Sequence, residues 1–193
     1  MHGLINRSFQ CFLRDTYGVS LWNTVAEAAG LAPEGFEAMM NYDDGLTYAV
    51  LASASNALAK PRDALLEDLG SFLVSIEPLR RLLRFGGVDY VEFLYSLDEL
   101  PDRVRLALPD LDLPDLSLAA ISETRFELTI HTDQPGYVPA FVGILRAMAD
   151  DYGALALIET GESVWLTDTI CIELLHNRFA SGRSFDLSQP EVA

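Results

Sequence analysis

Positive charge is scarce in this sequence. Lysine and arginine number 13 against 29 aspartates and glutamates, a formal net charge of −16. Phosphate backbones and anionic lipid surfaces attract cationic proteins, so a nucleic-acid-binding or membrane-surface role is disfavoured. Cysteine is almost missing, with only Cys11 and Cys171. Both fall in apolar periodic segments, which predicts buried, reduced thiols, no disulfide framework and a cytoplasmic setting. No apolar run reaches the roughly eighteen residues of a membrane helix. The opening MHGLINRSFQ lacks the pattern of a secretory signal. Histidine is limited to His2, His131 and His176, and no two of them stand at a metal-ligand spacing. GxSxG, CxxC, HExxH and a phosphate-cradling glycine loop are all absent, so the sequence predicts no enzyme.

What is present is a chain that changes character two-thirds of the way along. Leu4, Ile5, Phe9, Phe12 and Leu13 recur at helical spacing, and Gly18 can end that helix. Ser20 is a candidate cap for a second helix carrying Trp22 and Val25, closed by Gly30. LTYAVLASASNALAK predicts a third helix. Pro61 opens a fourth, with Leu65, Leu66, Leu69, Phe72 and Leu73 as its buried stripe. PLRRLLRF and VDYVEFLYS read as short helices split by Gly86-Gly87. RFELTIH then alternates strictly, with Phe126, Leu128 and Ile130 on one face and His131 on the other. YVPAFVGILRAMADDYG is an amphipathic helix. ALALIET and SVWLTDTICIELLH read as two strands joined by a turn at Gly161-Glu162. The expected fold class is α+β, with a helical N-terminal lobe (about 1–110) packed on a C-terminal lobe of antiparallel sheet plus helix (about 115–176). An irregular tail (177–193) follows, and 1–193 is read as one domain.

Each candidate for chemistry has a plainer competitor. His131 lies on the polar face of its strand, which predicts a solvated ring. His2 precedes the first helix and either frays or covers a pocket. His176 is expected to be exposed. Asp43-Asp44 and Asp150-Asp151 abut helix ends or glycine, and adjacent carboxylates do not converge on one metal without further ligands. The stretch YSLDELPDRVRL poses a conformational question. Ser96 and Glu99 form a capping-box pattern, yet a helix from Leu97 would carry Pro101 at its fifth position. The better expectation is a helix starting near Pro101 and running to about Leu108, with Asp98 or Leu100 near its cap. Leu100, before proline, is biased toward extended geometry.

FGGVDYVEFLYSLDELPDRV resembles the haem-nitric oxide/oxygen binding (H-NOX) family, the gas-sensing domain of soluble guanylate cyclases and bacterial signalling proteins. MHGLINRSFQCFLRDTYG resembles the family's first helix, LALPDLDLPDL its proline-marked connection, and GYVPAFVGILRAMADDYG its long C-terminal helix. The order and spacing of these pieces identify a divergent, stand-alone bacterial member over roughly residues 1–175.

The resemblance implies haem b between the lobes, with a histidine of an L-H-D-R/H motif on the iron. Here that motif reads Leu100-Pro101-Asp102-Arg103, and proline has no lone pair for a metal. A Tyr-x-Ser-x-Arg motif grips the propionates in the family; Ile130, Thr132 and Gln134 occupy those positions here. Isoleucine donates nothing, and glutamine lacks the charged fork that suits a carboxylate. Charge-assisted hydrogen bonds contribute about 1.5–3 kcal/mol each. Losing two of them and an axial bond costs several powers of ten in affinity, at about 1.4 kcal/mol per power. The chain is therefore predicted not to hold haem in the family manner. Ligation through His2, and propionate partners in Arg125 or Arg146, stay open. Further expected pocket residues are Ile5, Phe9 and Phe72. The function implied is a degenerate sensor domain in signal transduction. It would have an apolar small ligand between its lobes and a histidine kinase or cyclic-dinucleotide enzyme as partner. The alternatives are a genuine haem-based NO/O2 sensor and a ligand-free interaction protein.

Overall fold

Helix α1 (Gly3–Tyr17) starts at His2, whose extended backbone and Nδ1 accept the chain into a helix: the ring nitrogen takes the N–H of Leu4 at 3.2 Å. Gly18 ends α1 at φ 93°, a conformation that favours glycine. The same residue opens α2 (Val19–Ala28), so Ser20 lies inside that helix and does not cap it. Asp43 caps α3 (Asp44–Leu58) by accepting the N–H of Gly45 at 2.8 Å, and α4 (Arg62–Ser75) follows Pro61. These helices bury Phe9, Phe12, Trp22, Phe36 and Leu65 in one cluster. The computed structural model describes residues 1–111 and 113–185.

Three shorter helices follow: α5 (Glu77–Arg84), α6 (Tyr90–Tyr95) and, after a 3-10 turn at Ser96–Glu99, α7 (Leu100–Ala107). The chain then forms β1 (Asp115–Ala120), β2 (Arg125–His131), α8 (Tyr137–Tyr152), β3 (Leu155–Val164) and β4 (Thr167–His176). The four strands make one antiparallel sheet in the order β1-β2-β4-β3. This is the expected α+β architecture of helices with an antiparallel sheet and a covering helix. The inward residues of the sheet, Leu116, Phe126, Leu128, Ile130, Ile170 and Ile172, share a second core with Phe141, Leu145 and Met148 of α8 and with Leu97, Leu100 and Val104.

Helices α4 and α8 meet backbone to backbone. A Cβ placed on Gly70 would stand 2.0 Å from the Ala140 carbonyl, and one on Gly143 would stand 1.9 Å from that of Glu67. Ser71 Oγ also donates to the Gly143 carbonyl at 3.3 Å. Past β4 the chain returns to the end of α8. Arg183 donates its N–H to the Asp151 carbonyl at 2.9 Å, and Arg80 gives its side chain to Asp151 Oδ1 at 2.8 Å and to the Ser184 carbonyl at 2.9 Å. Asp151 is wholly buried in this ionic cluster.

Four expectations change. β1 is a strand where the sequence suggested only a proline-marked connection. The β3–β4 turn lies at Trp165-Leu166; Gly161-Glu162 sits inside β3 at a bulge, where the register shifts between Thr160 and Ser163. Cys171 is exposed and Cys11 half-buried. Their segments are periodic, but Cys171 lies opposite Glu127 and Glu159, on the outward face of the sheet. Leu100 is helical (φ −60°, ψ −43°) despite preceding proline, because the 3-10 turn already delivers the chain in that geometry. The tail from 177 to 185 contains no helix or strand, and residues 186–193 of the expected tail lie outside those described.

Candidate functional site

Pro101 is buried in the first turn of α7. A first-turn residue has no intrahelical partner for its N–H, so proline costs nothing there. The capping box does not form. Ser96 Oγ donates to the Phe93 carbonyl at 2.7 Å and accepts from Arg103, which also donates to the Ser96 carbonyl at 2.8 Å. Asp98 instead reaches across to β1, accepting the Leu118 N–H at 2.6 Å. That bond fixes the start of α7 against the sheet.

Leu97, Leu100 and Val104 pack in the same cluster as Leu116 and Ile130, with Leu4 and Ile5 of α1 against it. Ile5, Ile130 and the helix of Pro101 are therefore brought together. Phe9 and Phe72 are not: they belong to the α1–α4 cluster, where the Phe12 ring lies 6.0 Å from Phe9 and 5.6 Å from Phe72.

Thr132 and Gln134 follow the end of β2 in a tight turn. Thr132 donates its N–H to the Leu166 carbonyl at 3.0 Å, and its hydroxyl accepts the Gln134 N–H at 3.0 Å. Both residues line a cleft of about 530 Å³ together with Asp115, His131, Asp133 and Tyr137. Leu113 and Leu166 supply apolar wall, and among the described residues no lysine or arginine contributes. The local field is negative: burial first, then Asp44 and Asp133, push the Tyr48 phenol of α3 above its ordinary range.

The histidines are accounted for one by one. His2 Nδ1 is the acceptor that caps α1, which requires the ring proton on Nε2. Iron ligation through Nε2 would move that proton to Nδ1 and abolish the cap, so the two roles exclude each other. His131 is exposed, its Nδ1 3.3 Å from Thr167 Oγ1. His176 is exposed and accepts the Arg178 N–H at 3.2 Å. Arg146 is committed to Glu67 and the Ile158 carbonyl, and Arg125 sits at the opposite end of β2 from Thr132. Among the described residues no group of three or more His, Cys, Asp or Glu is placed to hold a metal ion. A propionate-bearing, iron-centred cofactor does not fit this chemistry. Pro101, at the place the resemblance gives to the iron ligand, has no lone pair to offer, and among the described residues carboxylates rather than guanidinium groups line the cleft that carries Thr132 and Gln134.

Asp115, Asp133 and Trp165 escaped the sequence reading. Trp165 occupies the β3–β4 turn, 92% exposed, with φ 55°. The alternation that breaks at SVWLTDT is the signal that marks this turn.

A family model described as Haem-NO-binding matches residues 2–159. Soluble guanylate cyclase gcy-31 of Caenorhabditis elegans is 26% identical over 157 residues, 78% of this chain and 22% of that protein. Soluble guanylate cyclase 89Db of Drosophila melanogaster is 20% identical over 80% of this chain and 24% of its own length. The chain thus spans less than a quarter of these curated relatives. Among solved structures, the Fe(II) unliganded H-NOX protein from K. algicida has a TM-score of 0.79 at 17% identity, covering 92% of this chain and 98% of that one. An oxygen-binding H-NOX domain related to soluble guanylate cyclases has a TM-score of 0.74 at 18% identity, covering 95% and 100%. These likenesses are to the fold.

Proposed function

The chain belongs to the haem-NO-binding family, and from that membership we propose that it is a regulatory sensor domain whose haem clamp has been lost. The observation that carries this reading is Pro101, buried in the first turn of α7, where it offers no donor to iron; we read it as standing where the family carries its axial histidine. The acidic setting of Thr132 and Gln134 supports it, since Asp115 and Asp133 repel the propionates that an arginine would hold. Haem, when bound in this family, supplies a gas-binding iron; here Leu97, Leu100 and Val104 around the α7 start share one apolar core with Ile130, and Ile5 packs against that core. The signal would be a change in the packing of α7 on β1, transmitted through the Asp98 tether. An apolar small molecule entering that core is the ligand class suited to it. By family analogy the output runs through a signalling enzyme, a histidine kinase, a cyclic-dinucleotide enzyme or a cyclase, and the domain itself performs no catalysis.

The test is an absorption spectrum of protein expressed with haem supplementation and passed over gel filtration. The expected result is no retained Soret band. A strong retained band overturns the reading. If His2→Ala then abolishes that band, with helix content kept in circular dichroism, ligation is through His2 and the chain is a haem sensor.

A further inference from the structure

The cleft beyond β2 has properties that the loss of haem does not explain. It opens between the start of β1, the end of β2, the β3–β4 turn and the start of α8. Asp115 and Asp133 stand in its walls, and neither forms an ion pair among the described residues. The nearby N-terminal ammonium is already engaged by Asp44. Beside the cleft stands an apolar tip, Val164-Trp165-Leu166, exposed at 65%, 92% and 49%. An indole held in water next to an uncompensated acidic recess is a surface awaiting a cover.

We propose that this cleft docks a basic segment of a protein partner, one lysine or arginine side chain entering beside Asp115 and Asp133 while Trp165 packs on the segment outside. Two carboxylates and a hydroxyl-amide pair, Thr132 and Gln134, match the donors of an ammonium or guanidinium group. Trp165 is itself outside the cleft walls, so a small amine filling the recess would leave it uncovered, whereas a peptide covers both. Its ring face can also receive a second cation. The net charge of −16 draws basic partners and opposes a second copy of this chain as the occupant. The inference rests on the reading that Thr132 and Gln134 hold no haem propionate, which the absorption spectrum tests separately.

The experiment uses the full chain and a short fluorescein-labelled peptide of arginine, lysine and leucine, read by anisotropy, with methylguanidinium as the small-cation comparison. Asp115→Asn with Asp133→Asn is expected to weaken peptide binding about tenfold, as is Trp165→Ala. Trp165→Tyr should restore most of the loss. Neutralising Glu123, exposed in the β1–β2 turn, and Glu159, exposed on β3, should change it by less than about twofold. Circular dichroism verifies that each variant is folded. Because Trp22 is buried, the change in tryptophan emission on binding should vanish with Trp165→Ala. Equal weakening by the two acidic pairs would mean diffuse attraction, and no weakening by either would mean another surface; both overturn the proposal. Saturation by methylguanidinium with no effect of Trp165→Ala would make this a small-cation site and overturn it as well.

Discussion

Among the described residues, two other than glycine hold a left-handed backbone, Ala59 at φ 50° and Trp165 at φ 55°. Ala59 closes α3, a position that commonly carries glycine. Trp165 occupies a turn position that glycine or asparagine would fill without strain, and at 92% exposure it gains almost no burial in return. Trp165→Gly should therefore stabilise the fold by roughly 0.5–1 kcal/mol, seen as a higher urea midpoint with an unchanged slope. If the midpoint falls, the indole has a structural role in the free chain. At this scale the sequence was legible where chemistry is intrinsic to one residue. Pro101 announces a helix start. The cap made by His2 was not legible, because it depends on a side-chain rotamer and not on spacing.

Helices were readable as elements because their apolar period is long enough to exclude other structures. The start of α7 followed from proline chemistry alone. β1 was hidden because it is a short edge strand with one buried side chain, Leu116, directly after Pro109 and Pro114. The β3–β4 turn was misplaced because glycine in a strand signals a bulge as readily as a turn, and Trp165-Leu166 carries no turn residue. The α4–α8 crossing was equally silent: Gly70 and Gly143 look ordinary until the two backbones are seen in contact. Gly143→Ala must push the Glu67 carbonyl aside. It should cost at least the upper end of the roughly 1–3 kcal/mol typical of overpacking, measured by urea unfolding. A loss below about 0.5 kcal/mol would mean the helices separate easily.

For the molecule as a whole, the switch from helical to alternating periodicity revealed the lobed α+β plan. The cleft was invisible for a topological reason: its walls come from four segments that only the folded sheet brings together. Alkaline pH offers a test of the core that unites them. Tyr90 is fully buried and donates to the Leu145 carbonyl at 3.1 Å, and Tyr152 donates to that of Gly87 at 2.9 Å. Burial raises both phenols, that of Tyr152 to about 12. In the unfolded chain they ionise near 10, so the unfolded state releases its protons first. The contribution of Tyr152 is fully present below about pH 10 and is lost as pH rises through 12, while that of the more deeply buried Tyr90 goes on falling at higher pH. Circular dichroism during alkaline titration should show unfolding in that window, and Tyr152→Phe should move its onset upward. The glycine crossing of α4 and α8 also has a mechanical meaning. At Gly70 and Gly143 backbone meets backbone with no side chain between to yield, so the two helices cannot draw closer there. What the contact leaves free is rotation about the crossing point. A ligand wedged into the core near α7 would thus swing the lobes like a lever on a fixed fulcrum, with the largest displacement at the surfaces farthest from Gly70 and Gly143.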